Sequence, residues 1–205
     1  MPQESVRVCV DQVLTTDDEL IAAMEAAVEE NPANLLVPGH SFSPDEPPRP
    51  AELALLVGYK WSPGRTLRFR FLDGDPQVQA KVEQFAKMWT QYANIDMEFG
   101  NDPDAEIRVS FAGSGSWSTI GTSALTRASH IPTMNFGWLT PSSTDDDYER
   151  VVVHEVGHAL GCIHEHSSPA AGIPWDKPKV YAYYATHGWD KAKVDLNLFN
   201  KYSAT

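Results

Sequence analysis

Two cysteines, Cys9 and Cys162, are all that this 205-residue chain contains. They could pair once, but they cannot build a disulfide framework, which excludes the small stapled scaffolds. Basic residues are also scarce. Sixteen Lys and Arg stand against 28 Asp and Glu, for a formal charge of -12. Nucleic acids are gripped by basic patches that neutralise phosphates, so no nucleic-acid partner is expected. No apolar run approaches the roughly 20 residues of a membrane-spanning helix. Residues 53–57 are among the longest such runs, and no membrane partner is expected either. The first thirty residues are rich in acids and lack the basic-then-apolar order of a secretory leader. As written the chain reads as cytoplasmic, or as a secreted chain that has been processed or trimmed. Nothing in it sets an oligomeric state.

What is present is the material of one sizeable packed domain: 42% hydrophobic residues and six tryptophans. Residues 1–50 read as an N-terminal helical segment with a Pro-rich linker, a docking arm or the remnant of a pro-segment. Thr16-Asp17-Asp18-Glu19 has the form of a capping box, and Leu20, Ile21, Met24, Ala27 and Val28 give the helix one apolar face. Asn31-Pro32 stops it. Residues 37–50, rich in Pro and Ser, form the linker.

From residue 51 to 205 the signals suit a second, larger region. Leu67, Phe69 and Phe71 alternate with Arg68 and Arg70 as a half-buried strand. Pro76 opens a helix with Val78, Val82, Phe85, Trp89 and Tyr92 on one face. Residues 95–99 and 107–111 read as short strands, with further candidates at 117–122 and 133–139. Helices are expected at 177–186 and 191–202. Strand, helix, strands and helix in that order imply an α+β (α/β) domain with a mixed sheet.

A helix preceded by the caps Ser142, Ser143 and Thr144 carries Asp145, Asp146 and Asp147 in its first turn, where the helix dipole favours negative charge. Tyr148, Val152, Val156 and Ala159 form its apolar stripe. His154 and His158 lie on the other side of the wheel, four residues apart and therefore neighbours. Neutral imidazole is a good zinc ligand, and a catalytic zinc takes three protein ligands and keeps one position open. Gly161 can take the positive φ that ends the helix, so the chain turns back and His164 can serve as third ligand. Glu155 follows the first ligand. Its carboxylate can take a proton from a water acidified by the metal and pass it to the leaving amine of a peptide bond. The expected site is therefore metal: His154, His158 and His164; catalytic: Glu155; cofactor: Zn2+.

The stretch from His154 to His164 has the form of the metzincin zinc motif. Glu165 directly after the third His, the sequences His164-Glu165-His166-Ser167-Ser168-Pro169 and Ile173-Pro174-Trp175-Asp176, and Thr119-Ile120-Gly121-Thr122 and Pro132-Thr133-Met134-Asn135-Phe136-Gly137 resemble an astacin-like subgroup of fungi and bacteria. The resemblance runs from about Leu53 to the C-terminus. It implies a zincin catalytic domain with a twisted N-terminal sheet, an active-site helix and a cleft along an edge strand. It also implies a zinc metalloendopeptidase acting on a protein or peptide substrate. Residues 133–139, with Gly137, are expected to supply the edge strand. The pattern departs from metzincins in one respect: the methionines are 1, 24, 88, 97 and 134, and none follows His164 to form a Met-turn. Residues 51–205 are thus expected to be C-terminally incomplete, with Trp175, Tyr183, Tyr184, Trp189 and Phe199 as material for a substitute floor. This keeps a second reading open, a catalytically inactive zinc-binding interaction module.

Other candidates have plainer expected roles. Cys9 could act as a metal-bound switch like that of matrix metalloproteinases, but Val8-Cys9-Val10-Asp11 lacks that branch's motif, and a core-facing thiol is expected. Cys162 is expected to be small and buried. Asp73, in a segment resembling the astacin pro-segment switch, is expected in a strand-to-helix turn with a cap. His166 could compete as a ligand, but in an extended chain alternation would point it away from His164. His40, His130 and His187 are expected at the surface.

Overall fold

In the computed structural model, which describes residues 9, 12, 16–35, 57–168 and 171–200, the chain forms two compact units. Among the described residues, one comprises those from 9 to 35 and from 57 to 162, and the other those from 163 to 200. The expected linker at residues 37–50 and His40 lie outside the described residues.

The first unit is a mixed five-stranded sheet with helices packed on it. Its strands are β1 (Arg65–Phe71), β2 (Ile95–Phe99), β3 (Ile107–Ser110), β4 (Ser116–Ser118) and β5 (Met134–Phe136), and its helices α1 (Asp17–Glu30), α2 (Pro76–Ala86) and α3 (Asp145–Ala159). The sheet order is β2-β1-β3-β5-β4. The first four strands in that order run parallel, and β4 pairs antiparallel to β5 through Ser116–Phe136 and Ser118–Met134. Parallel neighbours need crossovers, and the 76–86 helix supplies the one between β1 and β2. This is the mixed α+β architecture expected from the sequence.

Residues 133–139 are where expectation and structure part. Their strand, β5, is flanked by β3 and β4 and is interior, while β4 is the edge. Met134, Asn135 and Phe136 are all buried, as a strand covered on both sides requires. Gly137 does allow a close backbone approach. A Cβ there would lie 1.7 Å from the Gly113 carbonyl oxygen, so it serves the packing of the β5 end against the loop before β4.

The core joins Leu67 and Phe69 of β1, Met97, Ile107, Val109, Met134 and Phe136 to Val78, Val82 and Phe85 of α2 and Tyr148, Val152, Val156 and Ala159 of α3. Helix α2 is capped by Asp75, whose side chain accepts from the Gln77 amide. Asp73 instead accepts from the Ser110 hydroxyl and the Phe111 amide, tying the end of β1 to β3. After Ala86 the helix tightens to a 3₁₀ turn, Lys87–Gln91. That change of pitch carries Tyr92 off the buried face, and it is 81% exposed.

Helix α1 has the expected capping box of Thr16 and Glu19. Its buried residues are Ala23 and Ala27, packed on the 3₁₀ segment Gly121–Thr126, whereas Leu20, Ile21 and Met24 stay exposed. The expected apolar face is therefore rotated. Close approach to that segment selects small side chains. The helix end is tied down by Asn34, whose side-chain amide donates to the carbonyls of Ala27 and Lys60, and by Asn31, which donates to that of Trp61.

One charged cluster braces the far side of the sheet. Arg65 and Arg68 both close on Glu106, which is almost fully buried. Burial alone would raise the Glu106 carboxyl, but hydrogen bonds and charge from Arg68 hold it below its ordinary value.

The second unit contains α4 (Lys177–Ala185), α5 (Lys191–Val194) and a π turn, Asp195–Phe199. Tyr181 donates to Asp195, and the Trp175 and Tyr181 rings meet Phe199 edge-on at 5.7 and 5.4 Å. Of the expected floor aromatics, Trp175 and Phe199 share this cluster. Tyr184 packs on Trp189 at 4.9 Å. No helix among the described residues is long and apolar enough to cross a membrane.

Candidate metal centre

Helix α3 places the two expected imidazoles. It starts at Thr144, which accepts from the Asp147 amide while Asp147 takes the Thr144 amide. Both groups fix the first turn, and the apolar stripe then locks the helix to the core. The opposite side carries His154, which is exposed, and His158, which is 4% exposed. Glu155 lies between them in sequence and is fully buried. The metal face is thus open at His154 and closed over at His158 and Glu155.

The helix ends in a Schellman motif. The Gly161 amide donates to the His158 carbonyl and the Cys162 amide to the Gly157 carbonyl, both at 2.9 Å. Gly161 has φ +103°, which an L side chain adopts only with strain. This termination has a chemical consequence. It brings the Cys162 carbonyl to 2.8 Å from His158 Nδ1. A carbonyl can only accept, so Nδ1 carries the proton and Nε2 presents its lone pair. The orientation of this imidazole is therefore set by the stop signal of the helix itself.

His158 Nε2 and His154 Nε2 converge to 3.1 Å, with the rings edge-on at 4.7 Å between centroids. Cys9 joins them, and so corrects the expectation of a core-facing thiol. Its Sγ lies 3.4 Å from His158 Nε2 and 3.4 Å from Glu155 Oε2. The ligand atoms of Cys9, His154 and His158 all fall within 4.8 Å of one another. Cys162, in contrast, is a buried thiol that contributes through its backbone, as its position suggested.

The donor set fits zinc. Tetrahedral bonds of about 2.0–2.1 Å to nitrogen and about 2.3 Å to sulfur separate two nitrogens by about 3.3 Å, and sulfur from nitrogen by about 3.6 Å. The observed separations are 3.1 and 3.4 Å. Imidazole with a backbone carbonyl on its far nitrogen is also the usual form of a zinc-binding histidine.

Two tryptophans that sequence periodicity did not single out for this role hold the helix in place. Trp61 Nε1 donates to the Ala159 carbonyl at 2.7 Å, satisfying an end group of α3. Trp89 Nε1 donates to the Val153 carbonyl at 2.8 Å, and its ring packs closely on Gly157, where a Cβ would meet it at 3.1 Å and the ring would have to give by a few tenths of an ångström. An aromatic with a single N–H donor is a signal for such a brace, but the carbonyl it reaches is fixed only by the fold.

In the second unit, His164 is half-buried and precedes the 3₁₀ turn Glu165–Ser167. That turn, rather than an extended chain, brings His166 back beside it. The two rings stack at 4.9 Å, so the outward orientation expected of an extended chain does not arise. His166 Nε2 is engaged by the Asn197 carbonyl at 2.9 Å. His130 is exposed, as expected, and His187 is half-buried, with Nδ1 near the Tyr183 carbonyl.

The chain is similar to two Caenorhabditis elegans proteins, zinc metalloproteinase nas-30 (28% identical) and zinc metalloproteinase nas-38 (27% identical), each over 111 residues. The matched stretch is 54% of this chain but only 13% and 14% of those relatives. Two solved structures of myroilysin are also similar. One is 47% identical with a TM-score of 0.71, covering 73% of this chain and 74% of that one; the other is 45% identical with a TM-score of 0.56, covering 72% and 67%. Residues 57–171 match the Astacin peptidase family, so the chain belongs to the astacin family of metzincins.

Proposed function

We propose that this chain is a zinc-dependent metalloendopeptidase in which His154, His158 and His164 hold the metal and Glu155 is the general base. The observation that carries the reading is the convergence of His154 Nε2 and His158 Nε2 at 3.1 Å, with the second ring held in the ligating tautomer by the Cys162 carbonyl. His164 follows Cys162 by two residues, within about 7 Å of backbone reach, and completes the motif of the astacin family.

Zinc, when bound, supplies a Lewis acid and an activated water. The chain's own groups do the rest. Glu155 is buried on the same helix turn as the two imidazoles, where low dielectric strengthens its interactions. It takes the proton of the attacking water and returns it to the departing amine nitrogen, so atoms and charge balance over the cycle. Strand β4 has one edge paired with β5. Its other edge is the place where an extended peptide can add main-chain hydrogen bonds. This assigns to β4 the substrate role expected of residues 133–139. The family membership and the names of the relatives favour peptide substrates over those of other metal hydrolases.

Glu155→Gln tests the assignment. It keeps side-chain shape and removes the base. The expected result is unchanged zinc content with peptide hydrolysis reduced by roughly 10²–10⁴-fold. Unchanged turnover with unchanged zinc would remove Glu155 from the mechanism.

A further inference from the structure

His164 stands beyond the end of helix α3, so the regular geometry of that helix does not fix its ring. A histidine ring turns broadly about χ2, and that torsion decides where its nitrogens point. The 3₁₀ turn Glu165–Ser167 follows at once, closed by the Ser167 amide on the His164 carbonyl at 2.9 Å. It sets the His166 ring against the His164 ring, 4.9 Å between centroids and 20° between planes. Turning His164 about χ2 would drive its edge into that neighbour, so the stack holds the torsion.

His166 is itself fixed at a second point. Its Nε2 lies 2.9 Å from the main-chain carbonyl of Asn197. A carbonyl only accepts, so Nε2 carries the proton and has no lone pair to offer a metal. Asn197 belongs to the π turn Asp195–Phe199, which ends where Asn200 takes extended backbone. The last carbonyls of a helix lack intrahelical donors, and the imidazole supplies one here. The π turn is braced in turn by Asp195, which accepts from the Tyr181 hydroxyl and pairs with Lys191 at 3.1 Å. The Trp175 ring links the two ends, edge-on to His166 at 6.3 Å and to Phe199 at 5.7 Å.

We propose that His166 is a positioning residue for the metal centre: it holds the ring of His164 and ties that ring to the π turn at Asn197. The inference rests on the assignment of His164 as third ligand above. In this role His166 touches neither metal nor substrate. It acts by preorganisation, because a ligand already oriented loses less freedom when metal binds, and affinity rises accordingly. Two imidazoles are thus oriented by different devices. The helix stop orients His158 through a hydrogen bond, and the stacked neighbour orients His164 through ring contact.

The test is a double-mutant cycle on the full chain, with zinc affinity read by competition against a chromogenic chelator and folding followed by circular dichroism. His166→Ala should weaken zinc binding by roughly 10–100-fold. In a His164→Ala background, which itself binds zinc more weakly, the same substitution should change affinity by less than about twofold, because no ring remains to be held. His166→Phe keeps a ring without the donor, and His166→Gln keeps a donor without the ring. Each should fall between wild type and His166→Ala. Affinity in His166→Ala within about twofold of wild type overturns the positioning role. So does a loss of equal size with and without His164, which marks an effect on the fold of this unit rather than on the ligand. If His166→Ala does not fold, the Phe and Gln variants decide, and wild-type affinity in both overturns the role. If His164→Ala binds zinc as tightly as wild type, the third-ligand assignment falls and this inference with it. A wild-type chain that binds no zinc overturns the peptidase reading itself.

Discussion

Helices α1 and α3 both start at a threonine whose hydroxyl accepts from the amide three residues on, while the carboxylate at that position takes the cap's own amide: Thr16 with Glu19, and Thr144 with Asp147. Beyond the first turn they diverge. Helix α3 buries Tyr148, Val152, Val156 and Ala159 in the main core. Helix α1 buries only Ala23 and Ala27, and its large apolar residues Leu20, Ile21 and Met24 are 44–54% exposed. A capping box decides where a helix begins, because its bonds are local. What covers the helix decides which face is buried and how much that face contributes. The candidate metal site sits on the helix that is held by the core and by two tryptophan N–H groups bonded to its carbonyls.

Four substitutions sharpen this comparison. Tyr148→Ala removes a ring that stacks on Phe85 and a hydroxyl that donates to the Thr140 carbonyl. It should cost roughly 3–5 kcal/mol, read from the urea midpoint. Thr144→Ala should cost about 1 kcal/mol of global stability, since α3 unfolds only with the core. The matching Thr16→Ala should show mainly as faster amide exchange in the first turn of α1, because the anchoring contacts of Asn31 and Asn34 lie at the other end. Ile21→Ala, smallest of all, should stay within about 0.5 kcal/mol. A loss at Ile21 equal to that at Tyr148 would erase the distinction between the two helices.

Much of the site could be read from the sequence because its determinants are local. The spacing of His154 and His158, the acidic first turn at Asp145–Asp147 and the positive φ at Gly161 all follow from helix geometry. The strand and helix order was legible for the same reason. What escaped depended on non-local pairing. Met134, Asn135 and Phe136 form a strand, but only the fold shows that β4, earlier in sequence, lies outside it. Tyr92 continued the helical period, yet the shift to a 3₁₀ turn at Lys87 moved it by about 20° per residue. Cys9 gave no local signal at all. A single cysteine with no repeated spacing carries no address, and its meeting with His158 is made by tertiary structure.

The central claim is that α3 presents a zinc site through His154 and His158. Metal analysis of the purified chain beside its His154→Ala/His158→Ala variant tests it most directly, with circular dichroism confirming that both are folded. The account expects about one zinc per wild-type chain and essentially none in the variant, because two of the converging donors are gone. A folded variant that retained stoichiometric zinc would contradict it.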